Sequence, residues 1–355
     1  MGSRRATIYE VSERAGVSIS TVSLAINHPE RVKEATRRRI LQTIDELGFV
    51  PKELAVARAR AGLGRIAVVA PFTSYLSFSR RLAGMLAEAA GQTQIVVYDH
   101  EDVATSSSPL LATMPVRGHV DGLVIMGVPL DQATAERLRR RLPTVLVDIR
   151  HAGLTSIYVD DVGGGQMVGE HLRQLGHQRV AFVREAERSH LPASPTQQRK
   201  DGLVAALGAA NVQEIVIERG PGLGERALAG WADLAGAAGG SGAGGSGGSG
   251  AGGSGPTAIV AHRDLVAVAA VAAARRAGFD VPRDLSVVGF DDDLVAQETG
   301  LTTVGQPFEE SGALAFRLVR DLMADPAAPP VEHLLPLKLA IRQTTAPPPK
   351  SRRGA

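Results

Sequence analysis

TIYEVSERAGVSISTVSLAIN, residues Thr7 to Asn27, is the stretch on which the reading of the whole chain turns. It spells two short helices around a tight turn. Thr7 and Glu10 have the Ser/Thr-x-x-Glu spacing in which each side chain satisfies an orphan backbone donor at a helix start. Val11 and Ala15 fall one turn apart on one face. Gly16 supplies a turn that a Cβ would obstruct, and Ser18 can cap a second helix with Val22 and Ile26 at i, i+4. That leaves Ile19, Ser20, Thr21, Ser23 and Leu24 facing outward, short enough for a backbone to approach DNA closely. This is the layout of a helix-turn-helix reading head. A ligand-free amphipathic helix pair would share the apolar pattern, but turn glycine, caps and spacing agree on the reader.

Working outward, Glu34 to Leu47 reads as a third helix, with Ile40, Ile44 and Leu47 packed under the head and Gly48 as its stop. Arg37, Arg38 and Arg39 either meet phosphates or form a solvated face. Pro51 opens a short Ala-rich segment, Lys52 to Ala61, which is marginal as a helix alone in water. From Arg65 the pattern changes. Ile66–Ala70, Ile95–Tyr98, Leu123–Met126 and Val145–Val147 are continuous apolar runs separated by helix-like stretches, the mark of strands buried on both faces of a parallel sheet. A second series follows at Ser156–Val159, Val180–Val183, Glu214–Ile217, Ala258–Ala261 and Ser286–Phe290. The Gly/Ser tract over 236–255 has no apolar surface to offset ordering entropy and reads as a flexible loop expansion.

These stretches resemble the lactose-repressor (LacI/GalR) family of bacterial transcription regulators. Residues 7 to 62 are similar to its DNA-binding head and hinge, including TRRRILQTIDELGFVP (Thr36–Pro51). YVDDVGGGQMVGEHLRQLGHQRVAF (Tyr158–Phe182), TAIVAHRDLVAVAAV (Thr257–Val271), DLSVVGFDDD (Asp284–Asp293) and TTVGQP (Thr302–Pro307) resemble its effector-binding core, in order. The resemblance implies an N-terminal all-α helix-turn-helix head plus an α/β periplasmic-binding-protein-like core of two parallel-sheet lobes. The implied division is 1–48 for the head, 49–63 for the hinge, 64–345 for the core and 346–355 for a disordered tail. Within the core, lobe 1 takes about 64–159 and 292–323 and lobe 2 about 160–291 and 324–345, with crossovers near Asp160, near Asp291 and near Met323–Pro330.

The DNA-binding set it implies is Thr7, Ile19, Ser20, Thr21, Ser23, Leu24, Asn27 and Arg31 in the head, with Lys52, Ala55 and Arg58 in the hinge. The family's hinge orders on operator DNA in a dimer and places a leucine wedge in the minor groove. Here Arg58 stands at that position, so a groove-entering cation replaces the wedge. Relatives read bases with a long polar side chain and a later arginine. At the matching positions this chain has Ile19, Ser20 and Leu24, two of which can cover a thymine methyl.

Ligands bind α/β folds at the carboxyl ends of strands. The effector candidates are Ser74, Tyr75 and Phe78 after the first strand, Asp148 after the fourth, Asp161, Arg199, Arg263, Asp291 and Gln306. Arg199 is similar to the family's effector-gripping arginine, and Arg263 stands where relatives often carry asparagine. Carboxylates and guanidinium groups make paired hydrogen bonds to sugar hydroxyls, which suits a sugar-like effector. The extra cation and the loop RGPGL (Arg219–Leu223), which lacks the family's stacking aromatic, also admit a phosphorylated or acidic one. Capping and lobe-tying roles remain the plain alternative for Asp160, Asp292 and Arg263.

The remaining bounds are compositional. A chain of 355 residues suggests two or three compact units. It has no cysteine, so disulfides and thiolate metal sites are out, and no metal or cofactor is expected. Net charge is only +2, but residues 1–60 hold eleven Lys/Arg against seven Asp/Glu, a basic head on a slightly acidic body. No export leader or membrane-length apolar run is seen, so a cytoplasmic location is expected, nucleoid-associated on the operator. No His-Glu-x-x-His or P-loop signature occurs, and Gly163–Gly165 lacks the following Lys-Ser/Thr, so an enzyme is not expected. The function expected is a homodimeric, sequence-specific DNA-binding repressor controlled by a small effector. The other class is an effector-independent or architectural DNA-binding protein with a degenerate pocket.

Overall fold

The structure is a computed structural model that describes residues 6–49, 64–91, 93–100, 108–117, 119–186, 194–235 and 255–349. The expected hinge residues Lys52, Ala55 and Arg58, the Gly/Ser tract through residue 254 and the tail from residue 350 lie outside the described residues.

The head is three helices: α1 (Ile8–Ala15), α2 (Ile19–Asn27) and α3 (Glu34–Leu47). The capping box closes as the sequence requires. The Thr7 amide donates to Glu10 Oε2 at 2.7 Å, while Thr7 Oγ1 accepts from the Glu10 amide at 3.4 Å. Gly16 turns at φ 61°, where a Cβ would be strained, and Ser18 Oγ accepts from the Thr21 amide at 3.2 Å. Val11, Val22, Ile40 and Ile44 meet in one fully buried cluster. Each such side chain contributes roughly 1.5–3 kcal/mol relative to exposure. Arg37 is buried and donates to the carbonyls of Pro29 and Val32, so it ties the α2–α3 loop and is not a phosphate contact, while Arg38 and Arg39 are exposed.

Two sheets follow. The first runs β11-β5-β4-β3-β1-β2 across, built from β1 (Arg65–Ala70), β2 (Gln94–Asp99), β3 (Gly122–Met126), β4 (Thr144–Val147), β5 (Thr155–Val159) and β11 (Glu332–Leu335). The second runs β12-β10-β9-β8-β6-β7, from β6 (Val180–Glu185), β7 (Val212–Ile217), β8 (Ala258–Ala261), β9 (Ser286–Asp291), β10 (Thr302–Gly305) and β12 (Lys338–Ala340). β1 to β5 pair in parallel, as do β6 to β10, and β12 joins β10 antiparallel. β1, β3 and β4 are buried almost throughout, the outcome expected of parallel strands covered on both faces.

The chain divides into two compact units, 1–158 with 308–334 and 159–307 with 335–355. Three sequence expectations change. The strand at Ser156 joins the first sheet, beside β4, instead of opening the second. The second crossing lies between Pro307 and Phe308, not near Asp291, because β10 extends the second sheet along β9. The third lies between Leu334 and Leu335, beyond the expected Met323–Pro330, because β11 still pairs in the first sheet. The head also groups with the first unit.

In the second unit α7 (Asp161–Leu175) and α8 (Pro195–Leu207) approach until backbones touch. A Cβ on Gly165 would stand 2.0 Å from the Arg199 carbonyl oxygen, and one on Gly202 would stand 1.9 Å from that of Val162. Of Gly163–Gly165, Gly165 thus serves helix packing, while Gly163 makes room for the Asp160 cap and Gly164 for Phe290 and Leu337. α9 (Leu223–Leu234) carries Trp231, whose indole N–H donates to the Pro256 carbonyl at 2.8 Å and whose ring meets Phe279 edge-on. Trp231 is therefore core.

The two ends of the Gly/Ser tract lie side by side: a Cβ on Gly255 would stand 2.4 Å from Ala235 Cα. Deleting residues 239–253 is expected to leave the melting temperature and DNA binding nearly unchanged, since closing a loop depends only weakly on its length. A melting curve and an operator titration check this, and a large loss in either would mean the tract packs against a partner.

Candidate functional site

The reading edge of the head is open. Ser20 and Asn27 are exposed, Ile19 is 38% exposed, and Thr7 and Arg31 also face out. Ser18 Oγ lies 2.8 Å from both Ser20 Oγ and Thr21 Oγ1, so the cap orders the hydroxyls at the start of α2. Thr21 and Ser23 are half-buried. Leu24 is also half-buried and packs against the head's own apolar cluster, which leaves Ile19 as the more accessible apolar side chain.

Both sheets place strand order 2-1-3-4-5 around a switch point, β1/β3 in the first and β6/β8 in the second. In open α/β sheets ligands bind at such a point, outside the carboxyl ends of the strands. In the first unit, Ser74 is exposed and Tyr75 half-buried before α4 (Leu76–Ala89). Phe78 is buried, edge-on to Tyr75 at 6.1 Å, and Gly127 leaves it room, since a Cβ there would stand 2.6 Å from the ring. Asp148 is committed: Arg81 Nη2, on a side chain 3% exposed, lies 2.7 Å from Asp148 Oδ2, with the guanidinium over the Phe308 ring. Thr73 donates through Oγ1 to Asp99 at 2.6 Å, and that bond is the leading cause holding the Asp99 carboxyl below its usual range.

The second unit gathers more groups. Arg199 Nε donates to Asp161 Oδ1 at 2.8 Å, Nη1 donates to the His262 carbonyl at 2.6 Å, and the guanidinium lies 3.8 Å from the Phe290 ring centre. Arg263 is paired with Glu185, and His262 Nε2 lies 3.4 Å from the same carboxylate. Glu185 closes β6, and His262 and Arg263 follow β8, so this trio sits at the switch point. Burial acts to raise the Glu185 carboxyl, but the His262 hydrogen bond and Arg263 charge outweigh it and hold it low. Burial also pushes His262 down, keeping the imidazole neutral near pH 7. Gln306 donates to Asp291 Oδ1 at 2.7 Å. Asp160 caps α7 through the Gly163 amide at 2.8 Å, and Asp292 pairs with Arg342 at 2.7 Å. These two take the capping and tying roles.

Asp161, Arg199, Arg263, Asp291 and Gln306 therefore lie in one unit, as Ser74, Tyr75, Phe78 and Asp148 lie in the other. Sequence reading missed Glu185 and His262. The signal was present for Glu185, an acid closing an apolar run as Asp148 does. Asp148, Asp291 and Asp292 also hold positive φ, at 61°, 123° and 54°. Such strain costs of order 1–3 kcal/mol each and concentrates at functional sites. His171 and His177 are structural, bonded to Thr345 and to Thr257 and the Ala346 carbonyl.

A capped helix-turn-helix head with an exposed reading edge, joined to two doubly wound sheets with polar groups at their carboxyl edges, defines a DNA-binding regulator with a small-molecule core. Residues 7–52 match the family described as bacterial regulatory proteins, lacI family, and residues 170–345 match the periplasmic binding protein-like domain. The chain is 28% identical to the HTH-type transcriptional regulator DegA of Bacillus subtilis (strain 168), covering 97% of this chain and 99% of the relative. It is 27% identical to the HTH-type transcriptional repressor CytR of Escherichia coli (strain K12), covering 96% of each. A crystal structure of the lac repressor dimer bound to operator and the anti-inducer ONPF is similar over 97% of this chain and 100% of that one, at 25% identity and a TM-score of 0.62. The head belongs to the lacI family of bacterial regulatory proteins, and the chain is a DNA-binding transcription regulator, not an enzyme. Among the described residues no helix is long and apolar enough to cross a membrane.

Asp264, at the start of α10 (Asp264–Arg276), is fully buried, accepting from Thr303 Oγ1 at 2.6 Å and from the Asp293 amide at 2.8 Å. Burial, reinforced by the charge of Asp291, pushes its carboxyl up to about 8. The folded state then holds a proton that the unfolded chain releases near pH 4, so stability falls as pH rises from about 4 to 8. Asp264→Asn removes the titrating group and keeps an acceptor for the Asp293 amide, while its amide nitrogen faces the Thr303 oxygen once that hydroxyl turns away. Melting temperatures measured between pH 5 and 8 are expected to decline in the wild type and flatten in this variant.

Proposed function

We propose that the chain is an operator-binding repressor that works as a homodimer in the cytoplasm, on nucleoid DNA, and that a small uncharged polyol, a sugar or sugar derivative, sets its DNA affinity. The support for DNA reading is the edge of α2, where Ile19, Ser20 and Asn27 are exposed and Thr21, Ser23 and Leu24 half-buried toward bases, with exposed Thr7 and Arg31 toward phosphates. The lac repressor to which the chain is similar is a dimer on its operator with an anti-inducer bound, which supports the same partners here. Control by an effector requires only that the ligand bind one conformation better than the other.

The observation that carries the effector class is charge pairing at the second sheet's carboxyl edge. Arg199 is matched by Asp161 and Arg263 by Glu185, and His262 is neutral. Among the described residues there, no cation is left over to select a phosphate or carboxylate. Asp161, Arg199, Asp291 and Gln306 supply the donors and acceptors that hydroxyl groups need.

A thermal-shift screen of neutral sugars and polyols, sugar phosphates and sugar acids tests this. A neutral ligand at one hundred times its Kd stabilises by about 2.7 kcal/mol. Stabilisation by anionic ligands alone would overturn the class, and a flat screen would favour the effector-independent regulator. With the responsive ligand in hand, Arg199→Ala is expected to abolish the response while operator binding persists. It also lowers the melting temperature, because an unpaired buried Asp161 costs about 3–5 kcal/mol.

Base reading is tested by selecting bound sites from random DNA. The half-site is expected to favour A·T pairs under Ile19, whose side chain can cover a thymine methyl. Leu24→Arg is expected to shift preference toward guanine at one symmetric pair of positions, by about 1–3 kcal/mol per bidentate contact. An unchanged consensus would mean that position 24 reads nothing, in keeping with its packing against the head.

A further inference from the structure

The first unit carries a socket for the reading head. It is built by α5 (Pro109–Arg117) and α6 (Gln132–Arg141), two helices of the first lobe that flank β3 in the chain. Val116 is fully buried and belongs to the same apolar cluster as Val11, Val22, Ile40 and Ile44 of the head, with Ala112 packed beside it. Three arginines ring this contact. Arg117 Nε donates to the Ile26 carbonyl at 2.7 Å. Arg141 donates to the carbonyls of Phe49 and Ile44, each at 3.2 Å, and Arg137 Nε donates to Asp45 Oδ2 at 2.8 Å. Arg141 Nη2 also lies 3.1 Å from Asp45 Oδ1.

The chemistry of the socket fits what it holds. Ile26 and Ile44 stand in the last turns of α2 and α3, where the helix dipole is negative; the Ile44 carbonyl also accepts from the Phe49 amide at 3.1 Å, so Arg141 adds a second donor there. Guanidinium groups suit both helix ends. The Arg137 side chain is only 9% exposed, so its pair with Asp45 is screened less than a surface pair would be. Docking also compensates Asp45, a carboxylate on a domain that must approach a polyanion. With the head seated, Ile19, Ser20, Asn27 and Arg31 remain exposed.

We infer that the first lobe holds the head as one rigid body in its DNA-reading pose, so that α5 and α6, and not only the connecting residues 50–63, fix where each head points. The inference rests on the DNA-reading, dimeric function proposed above. Seating the head removes conformational freedom before DNA arrives, which favours binding through preorganisation. In a dimer it would also fix the distance between two reading helices, whereas heads on free tethers would accept a range of spacings.

The full-length protein is tested on the palindrome it selects from random DNA, and on versions with the half-sites moved together or apart by one or two base pairs. Wild type is expected to lose binding sharply when the spacing changes. Arg137→Ala with Arg141→Ala, both on the lobe, is expected to bind the selected spacing about tenfold more weakly and to discriminate less among spacings. Amide exchange across α1–α3 reports whether the head stays folded. Arg137→Asp alone is expected to show the same loss, and adding Asp45→Arg to it should recover most of the affinity. Unchanged or tighter binding by the double alanine variant would overturn the inference. So would the absence of any recovery in the charge-exchanged pair. If wild type selects no DNA at all, the DNA-reading function itself fails, an outcome visible before any variant is made.

Discussion

A carboxylate removed from water needs a donor, and this requirement runs through every part of the molecule that matters for function. Among the described residues three acidic side chains are buried, and each is met: the Asp161 carboxylate by Arg199, the Glu185 carboxylate by Arg263 and His262, and Asp264, which holds its proton, by the Thr303 hydroxyl and the Asp293 amide. The half-buried ones follow the same rule, with Asp148 held by Arg81 and Asp45 by Arg137. Leaving any of them unpaired would cost more than most single contacts contribute. The positions of the arginines, and so of the helices that carry them, are therefore tightly constrained. The glycine contact between α7 and α8 serves this end, since it lets the Arg199 backbone come close enough for its side chain to lie along Phe290 and reach Asp161.

Sequence carried the local parts of this arrangement well. The head was legible because its signals are short-range: Thr7 to Glu10, Gly16, Ser18, and a helical spacing of Val22 and Ile26. The strands of both sheets were legible because burial on two faces demands unbroken apolar runs. What the sequence did not show were pairings made across long separations. Arg37, Arg38 and Arg39 read as three equivalent cations, yet Arg37 alone turns inward to the carbonyls of Pro29 and Val32. The second crossing was misplaced because β10, Thr302–Gly305, is short and half polar, and only its register with β9 identifies it. Glu185 was passed over because an acid at a strand end has no local feature that sets it apart until Arg263, 78 residues later, is brought beside it.

The same difference in range explains the head. Periodicity treats residues 7–48 as a domain because its caps and apolar spacing close on themselves. Its surface toward the first lobe joins an apolar contact at Val116 and the Asp45 carboxylate to backbone carbonyls at two helix ends, and carbonyls leave no trace in a residue pattern. As letters, Arg117, Arg137 and Arg141 do not differ from Arg139 and Arg140, which pair locally with Glu136. Only tertiary placement separates those two from the three that reach the head.

Charge pairing at the second sheet's edge also has a chemical consequence for any molecule that enters it. A hydroxyl is donor and acceptor in one group, so it can donate to Asp161 while accepting from Arg199 and leave neither ion unsatisfied. An anion entering the same place would satisfy the guanidinium and strand the carboxylate, and a cation would do the reverse. Each leaves a buried charge without a partner, and that penalty exceeds what a single new contact returns. A site built from matched ions therefore discriminates by hydroxyl placement. It rejects a ligand that lacks one hydroxyl more strongly than a ligand that differs by a methylene, because the missing group leaves polar atoms unpaired.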